Sequence, residues 1–177
     1  MSQTTLDIKE PGLNALPPGV ERYVVEGGGL TGIQVLPDDE IEVINNEGNQ
    51  ICEISVFNKD GKSELGILSL KEIKENSEIK KILFKKDETS LQALLQLKKR
   101  NLNIEKSKSS IIFNKETKAG ESIKLRSKDK CYCIFAAPGK PMLVHEQNPS
   151  TELTIIVTRS EVKKEKEFSI IPDPIYD

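Results

Sequence analysis

The stretch between residues 38 and 58 constrains the fold of this chain more than any other. Two segments with period-2 alternation of apolar residues flank the short run Asn46-Glu47-Gly48-Asn49. Such alternation is typical of half-buried strands, and Asn and Gly tolerate the positive φ angles of a tight reversal. The pattern therefore predicts a β-hairpin, with strands near residues 40–45 and 50–58.

Length and composition describe one ordinary domain. The 177 residues are 36% hydrophobic and 31% charged, with 5% aromatic residues and no Trp, so Ile, Leu and Val must supply most of the core. No apolar run approaches the roughly 20 residues that cross a bilayer, and the first ten residues lack the basic start and apolar stretch of a secretory signal. We expect a cytoplasmic protein with no membrane partner.

The chain is expected to hold a strand-rich domain with irregular ends. Three prolines before residue 19 predict an extended lead-in over residues 1–20. A single domain is expected over residues 21–168, and a Pro-Asp-Pro run predicts a linker-like tail over residues 169–177. Alternating segments inside the domain predict further strands, at 21–25, 31–36, 111–113, 122–125, 131–136 and 153–158.

The middle of the chain changes to helical patterns. A Ser-x-x-Glu capping box at Ser69 predicts a short helix to about residue 75, and a similar start at Thr89 predicts a second helix whose last turn is basic. Residues 79–84 fit either a helical turn or a strand. One face of the second helix is expected to carry Leu91, Leu94, Leu95 and Leu102.

This order of strands, then helices, then strands predicts the fold class. We expect an α+β domain, mainly antiparallel β, with two to three short helices inserted at about residues 69–101. The sequence leaves open whether the strands close as a barrel or pack as a sandwich.

The three cysteines, Cys52, Cys131 and Cys133, are predicted to be core residues. The Cys-Tyr-Cys spacing places Cys131 and Cys133 on one face of a strand, whereas paired zinc ligands are usually separated by two residues or more. An odd number also argues against a disulfide framework. We expect neither a bound metal nor a disulfide.

Charge is distributed unevenly along the chain. Residues 1–60 hold 11 acidic and 3 basic residues, whereas residues 98–130 hold 11 basic and 4 acidic ones. The basic stretch is compatible with an anion-binding module. A solvated Lys-rich surface is the preferred interpretation, and nucleic acid is not the expected partner because aromatic rings for stacking, such as Tyr132, are few in this part of the chain. The glycines at 27–29 are interpreted as a plain inter-strand loop, since a phosphate loop needs a following helix.

His145 is the only histidine and the natural candidate for a general base. A Cys-His nucleophilic pair would require Cys131 or Cys133 to lie beside it after folding. The alternative is an exposed loop histidine, which we favour because no other residue pattern completes an active site.

Residues 38–58 resemble the urea-carboxylase-associated family, which includes carboxyguanidine deiminases. The resemblance lies in an alternating acidic and hydrophobic strand followed by Glu47-Gly48-Asn49-Gln50 and a second strand. It implies an alternative function, a metal-dependent hydrolase of amidine-like substrates that uses Glu53 with His145 or Cys131. Glu53 stands where the family has Asp, and the family's His-Asp dipeptide is missing here, so the resemblance does not carry the activity over.

Three separated pieces resemble the N-terminal segment of proteins that end in a glycine-cleavage T-protein-like aminomethyltransferase domain. The pieces are residues 16–23, the Glu47-Gly48-Asn49-Gln50 turn, and residues 136–142, which include Pro138 and Gly139, together with 154–159. The resemblance implies a non-catalytic accessory or docking domain in one-carbon or methylated-amine metabolism. Its partner would be a T-protein-like domain in cis or in trans, and tetrahydrofolate would belong to that absent portion, so no cofactor is expected here. A homo-oligomer remains open.

Overall fold

The computed structural model describes residues 8–9, 19–71, 74–75, 78–114, 116–139 and 151–160. The predicted lead-in lies mostly outside this part of the chain, and the predicted tail lies wholly outside it. The strands are β1 (Ile8–Lys9), β2 (Val20–Val25), β3 (Leu30–Val35), β4 (Glu40–Asn45), β5 (Cys52–Asn58), β6 (Lys74–Glu75), β7 (Lys108–Ile112), β8 (Ser122–Arg126), β9 (Cys131–Ala136) and β10 (Leu153–Thr158). The helices are α1 (Glu78–Leu83), α2 (Glu88–Lys99) and a 3-10 helix at Leu65–Leu68.

The strands form two sheets that face each other. One sheet has the order β2-β10-β4-β8, and the other has the order β1-β3-β9-β5-β7-β6. Every pairing is antiparallel except that of β1 with β3. Apart from the two-residue strands β1 and β6, each strand lies in the opposite sheet from the strand before it. The exception is β5 and β7, which pair within one sheet. This is the jelly-roll arrangement. The predicted α+β, mainly antiparallel class is confirmed, and the strands pack as a sandwich.

The predicted hairpin is wrong in its pairing, although its strands and its turn exist. β4 pairs with β8 and β10, whereas β5 pairs with β7 and β9 in the other sheet. Residues 46–51 therefore form an arch between sheets. Turn chemistry specifies a reversal of the chain, but the partner of each strand is chosen by burial of its two faces, which a local pattern does not report.

The six-stranded sheet is covered on both faces, so the molecule has three layers and two cores. Between the sheets, side chains such as Ile54, Phe135 and Ile155 form the larger core. Between the six-stranded sheet and the helices, Phe57 and Leu97 belong to a second core. Residues 52–57 of β5 are consequently all buried, as expected for a strand with apolar layers on both sides.

The helices differ from the predicted ones at their starts. Residues 79–84, which the sequence left ambiguous, fall largely within α1. In α2 the N-cap is Asp87, not Thr89, and its Oδ1 accepts a hydrogen bond from the Ser90 amide at 2.7 Å; this backbone bond holds the pKa of Asp87 below its usual value. The helix predicted to start at Ser69 is wrong, because Ser69 has a left-handed φ of 56° that ends the 3-10 helix.

The buried stripe of α2 also differs from the predicted one. Ser90, Ala93 and Leu97 are the buried residues of α2. Ala93 and Leu97 belong to the second core, against which Leu94 is half-buried, and the Ser90 hydroxyl donates to the Ile82 carbonyl of α1 at 2.8 Å. Leu91 and Leu95 point outward, with 52% and 57% of their surface exposed. Ala93 and Leu97 therefore define the inward face of α2, and the two leucines lie on its other side. Within the described residues, none of the helices has the length and apolarity to cross a membrane.

Candidate functional site

Glu53 lies on β5 and faces the helices, where it anchors the start of α1. Its Oε2 accepts a hydrogen bond from the Ile79 amide at 2.8 Å, and the residue is 1% exposed. Its neighbours across the sheet are Ala136 and Ile111. Oε1 is buried without a hydrogen-bond partner in the described part of the chain. Glu53 therefore stabilises the junction of the helix with the sheet.

The cysteines point into the other core. Cys131 and Cys133 lie on one face of β9 with their Sγ atoms 3.7 Å apart, and all three cysteines are free and buried, which confirms their prediction as core residues. The hydrogen bond with Cys133 lowers the pKa of Cys131 and raises that of Cys133. Burial raises the pKa of the Cys52 thiol. Cys52 and Cys133, which are buried and have raised pKa values, are therefore poor nucleophiles.

The predicted catalytic residues are not brought together where the structure describes them. In the ladder between β5 and β9, Glu53 pairs with Ala136 and Cys131 pairs with Asn58, so the two side chains lie at opposite ends of the ladder. They also project from opposite faces of the sheet, since Cys131 faces the sandwich core. His145 lies outside the described residues.

A buried ionic cluster that the sequence did not predict occupies one end of the sandwich. Arg159, which follows β10, binds Glu21 through two nitrogens at 2.8 and 2.9 Å, and its Nη1 lies 2.7 Å from Asp39 Oδ2. The Tyr23 hydroxyl donates a hydrogen bond to Glu21. We call Arg159, Glu21, Asp39 and Tyr23 the Arg159 cluster. Glu21 and Arg159 are 138 residues apart in sequence, so no local pattern could pair them.

The Arg159 cluster is also bonded to the backbone around it, since Arg159 Nη1 donates to the Gln34 carbonyl at 2.9 Å. Asp39 also accepts hydrogen bonds from the amides of Leu36 and Ser160, each at 2.9 Å. Burial tends to lower the pKa of Arg159, but the bonds with Glu21 and Asp39 outweigh it and the pKa rises. Burial, and then the Glu21 carboxylate, raises the pKa of Tyr23. Because these charges satisfy each other away from solvent, the cluster is a structural network.

The opposite end of the sandwich holds two of the pieces that carry the family resemblances, the Glu-Gly-Asn-Gln turn and the segment around Pro138. Gln50 is 3% exposed, and its Nε2 donates to the Pro138 carbonyl at 3.0 Å while its Oε1 accepts from the Thr151 amide at 2.8 Å. Asn45 donates to the Gln50 carbonyl at 2.8 Å. Gln50 thus ties the arch to both chain segments that border residues 140–150. The Glu-Gly-Asn-Gln turn and the segment that contains Pro138 are far apart in sequence, and they meet at this side chain.

The arch itself packs against the turn before β8. Gly48 has a φ of +78°, and a Cβ at this position would lie 2.7 Å from the Ala119 amide nitrogen. The Asn49 amide donates to the Thr117 carbonyl at 2.8 Å. Glu47 and Gly139 are exposed beside these contacts, whereas Pro138 is buried. The Glu-Gly-Asn-Gln turn therefore has a structural role, which is to hold the arch between the two sheets.

Two amides of the glycine turn after β2 are used in hydrogen bonds to other backbone groups of the chain. Gly28 donates its amide to the Ala137 carbonyl at 2.7 Å, and Gly29 donates to the Glu26 carbonyl at 2.8 Å. A cavity of about 170 Å³ separates this turn from the start of α2. Its rim includes Asp87, whose carboxylate occupies the helix N-terminus that an anion would need. The interpretation as an inter-strand loop agrees with this geometry.

The basic residues between 98 and 130 do not form one surface. Lys98 and Lys99 lie on α2, over one face of the six-stranded sheet. Lys124 and Arg126 lie on β8 and alternate with Ile123 and Leu125, which pack on the sandwich core. The charges are thus divided between the two outer sides of the three-layer molecule. Among the described residues, no group of three His, Cys, Asp or Glu side chains is arranged to hold a metal ion.

Comparison with known proteins gives one informative similarity. No family model matches the chain. Over 171 residues, which are 96% of the chain, the sequence is 32% identical to the trimethylamine-oxide aldolase of Ruegeria pomeroyi. The matched region is 21% of that protein, so the chain spans about a fifth of its relative's length.

Proposed function

We propose that this chain is a non-catalytic accessory or docking domain of a larger protein of methylated-amine metabolism, one that carries a T-protein-like aminomethyltransferase portion in cis or in trans. The observation that carries the proposal is the match of nearly the whole chain to about a fifth of a trimethylamine-oxide aldolase. A segment of that size leaves most of the relative to hold its active site.

The chemistry of the buried polar groups supports the same proposal. The Arg159 cluster and Gln50 use their hydrogen bonds to join strands and turns at the two ends of the sandwich. Glu53 holds α1. Acid and thiol groups that serve a reaction must reach a common substrate, and Glu53 and Cys131 face different layers.

A chimera tests the proposal. The segment of the Ruegeria pomeroyi protein that matches this chain is replaced by residues 1–177, and turnover of trimethylamine oxide is compared with that of the intact relative and of a deletion lacking the segment. We expect the chimera to retain turnover that the deletion loses, and the isolated chain to have none.

Two variants separate this proposal from the hydrolase alternative. In the chimera, Glu53→Gln and Cys131→Ser should leave turnover within about twofold, because neither side chain would touch substrate. The isolated wild-type chain is also assayed on an amidine-like substrate such as carboxyguanidine. Turnover by the isolated chain that Glu53→Gln abolishes would establish the hydrolase instead.

A further inference from the structure

Large hydrophobic side chains that remain exposed are concentrated on the helix layer. Among the described residues there are four such side chains, and three of them are Phe84, Leu91 and Leu95. Leu91 and Leu95 are one turn apart and therefore share a face of α2. We call this pair the α2 ridge.

The α2 ridge is a second apolar stripe on a helix that already has a buried one. Ser90, Ala93 and Leu97 provide the buried stripe, and Ala93 and Leu97 of this stripe belong to the second core. The outer face of a surface helix normally carries polar residues, and contiguous exposed apolar side chains mark interaction sites. The α2 ridge thus has the chemistry of a contact surface.

The charges along α2 are arranged symmetrically about Ala93. Asp87 and Glu88 precede the α2 ridge, and Lys98 and Lys99 follow it. If two copies of α2 pair antiparallel with the two-fold axis at Ala93, Leu91 of each copy meets Leu95 of the other. The same axis places the acidic pair of one copy beside the basic pair of the other, so both ends of the contact are electrostatically complementary.

We propose that α2 is the contact of a two-fold symmetric dimer of this chain, with the α2 ridge at its centre. The interface is isologous, since the same surface of each copy contributes. Two leucines per copy bury less area than the roughly 1,200 Å² of a stable interface. The dimer is therefore weak and exchanges rapidly, and tethering the chain within a larger assembly would strengthen it by raising the effective concentration.

Sedimentation equilibrium of the full chain over a range of concentrations tests the dimer. We expect Leu91→Ser/Leu95→Ser to raise the dissociation constant about tenfold or more, with an unchanged circular dichroism spectrum because both side chains are exposed. Val24→Ser, at a residue 42% exposed on the four-stranded sheet, is the matched control and should leave the constant unchanged.

A charge swap tests the antiparallel register. Glu88→Lys and Lys98→Glu should each weaken the dimer, because the axis at Ala93 sets residue 88 of one copy against residue 98 of the other and each change places like charges together there. The double variant Glu88→Lys/Lys98→Glu restores opposite charges at this contact and should recover the wild-type constant. Added salt should weaken the wild-type dimer and the restored dimer alike.

Three results would overturn the proposal. A wild-type chain that is monomeric at every concentration refutes the dimer. Self-association that the ridge variant does not change assigns the contact to another surface, such as the edge strands. A monomer whose α2 amides become protected from hydrogen exchange only when the remaining portion of the Ruegeria pomeroyi protein is added assigns the ridge to a different domain.

Discussion

Arg159 is buried and charged, and it is tolerated because two carboxylates surround it. Its side chain is 3% exposed, and those of Glu21 and Asp39 are 1% and 0% exposed. Desolvation of such groups is costly, and their mutual attraction with good geometry offsets it. Removing Arg159 would leave the Glu21 and Asp39 carboxylates buried without the cation that they share.

Arg159→Met should therefore destabilise the protein strongly, by about 3–5 kcal/mol in the free energy of unfolding. Urea denaturation measures the change. Arg126→Met is the control, because Arg126 lies 3.7 Å from Asp38 on the surface with 67% of its side chain exposed, and such a pair is worth about 1 kcal/mol or less. Comparable losses in the two variants would show that the cluster is not the main support of this end of the sandwich.

Tyr23, a member of the same cluster, makes the stability of the folded protein depend on pH in the alkaline range. Its folded-state pKa is raised by burial and by Glu21, whereas an unfolded tyrosine ionises at about pH 10. Above that pH the unfolded chain releases a proton that the folded protein retains, so stability falls as the pH rises.

Tyr23→Phe should reduce this alkaline loss of stability. Melting temperatures measured from about pH 8 to about pH 11, which brackets the ordinary tyrosine pKa, should decline less steeply for the variant than for the wild type. Tyr132→Phe, at a half-buried tyrosine of β9, is the control and should keep the wild-type decline. An identical pH profile for Tyr23→Phe and the wild type would contradict the assignment.

The arch between β4 and β5 depends on glycine at one position. Gly48 has a φ of +78°, and a Cβ added there would lie only 2.7 and 2.8 Å from backbone atoms of Ala119 and Thr117. Gly120 has a similar φ of +84°, but nothing lies within 4 Å of the place a Cβ would take. A substitution at Gly120 therefore measures the cost of the backbone conformation alone, whereas a substitution at Gly48 adds the cost of the steric contact.

Gly120→Ala should cost only the left-handed conformation, about 1–2 kcal/mol. Gly48→Ala should cost more than this, because the arch must also move away from the turn before β8. Chemical denaturation of both variants gives the comparison. Equal losses would mean that the arch relaxes without a penalty.

At the scale of the whole molecule, the six-stranded sheet joins the two cores. β5 and β9 contribute side chains to the sandwich core from one face and to the helix core from the other. Loss of packing on either side removes support from strands that both cores need. The described layers should therefore unfold together.

Ile155→Ala in the sandwich core and Leu83→Ala in the helix core should each lower stability by about 2–5 kcal/mol. Both residues are fully buried. Each variant should keep a single unfolding transition in which far-ultraviolet circular dichroism and tyrosine fluorescence coincide. If Leu83→Ala separated the two signals, the helix layer would be an independent unit.

Local patterns were sufficient to locate most strands and the second helix. Residues 131–136 and 153–158 are strands with the bounds expected from their alternation. Successive side chains of a strand point to opposite faces, so a short window of sequence is enough to show the pattern. The buried environment of Cys131 and Cys133 followed from the same argument. The resemblances also pointed to Gln50 and Pro138, although not to the bond between them.

Only the tertiary structure decided which strands pair, which charges meet and which leucines are buried. β4 and β5 are neighbours in sequence but belong to different sheets, and Arg159 meets Glu21 across 138 residues. The outward position of Leu91 and Leu95 depends on which face of α2 packs into the second core. Each of these outcomes depends on which distant surfaces of the chain bury each other. The packing of the whole chain decides this, and a short window of sequence does not show it.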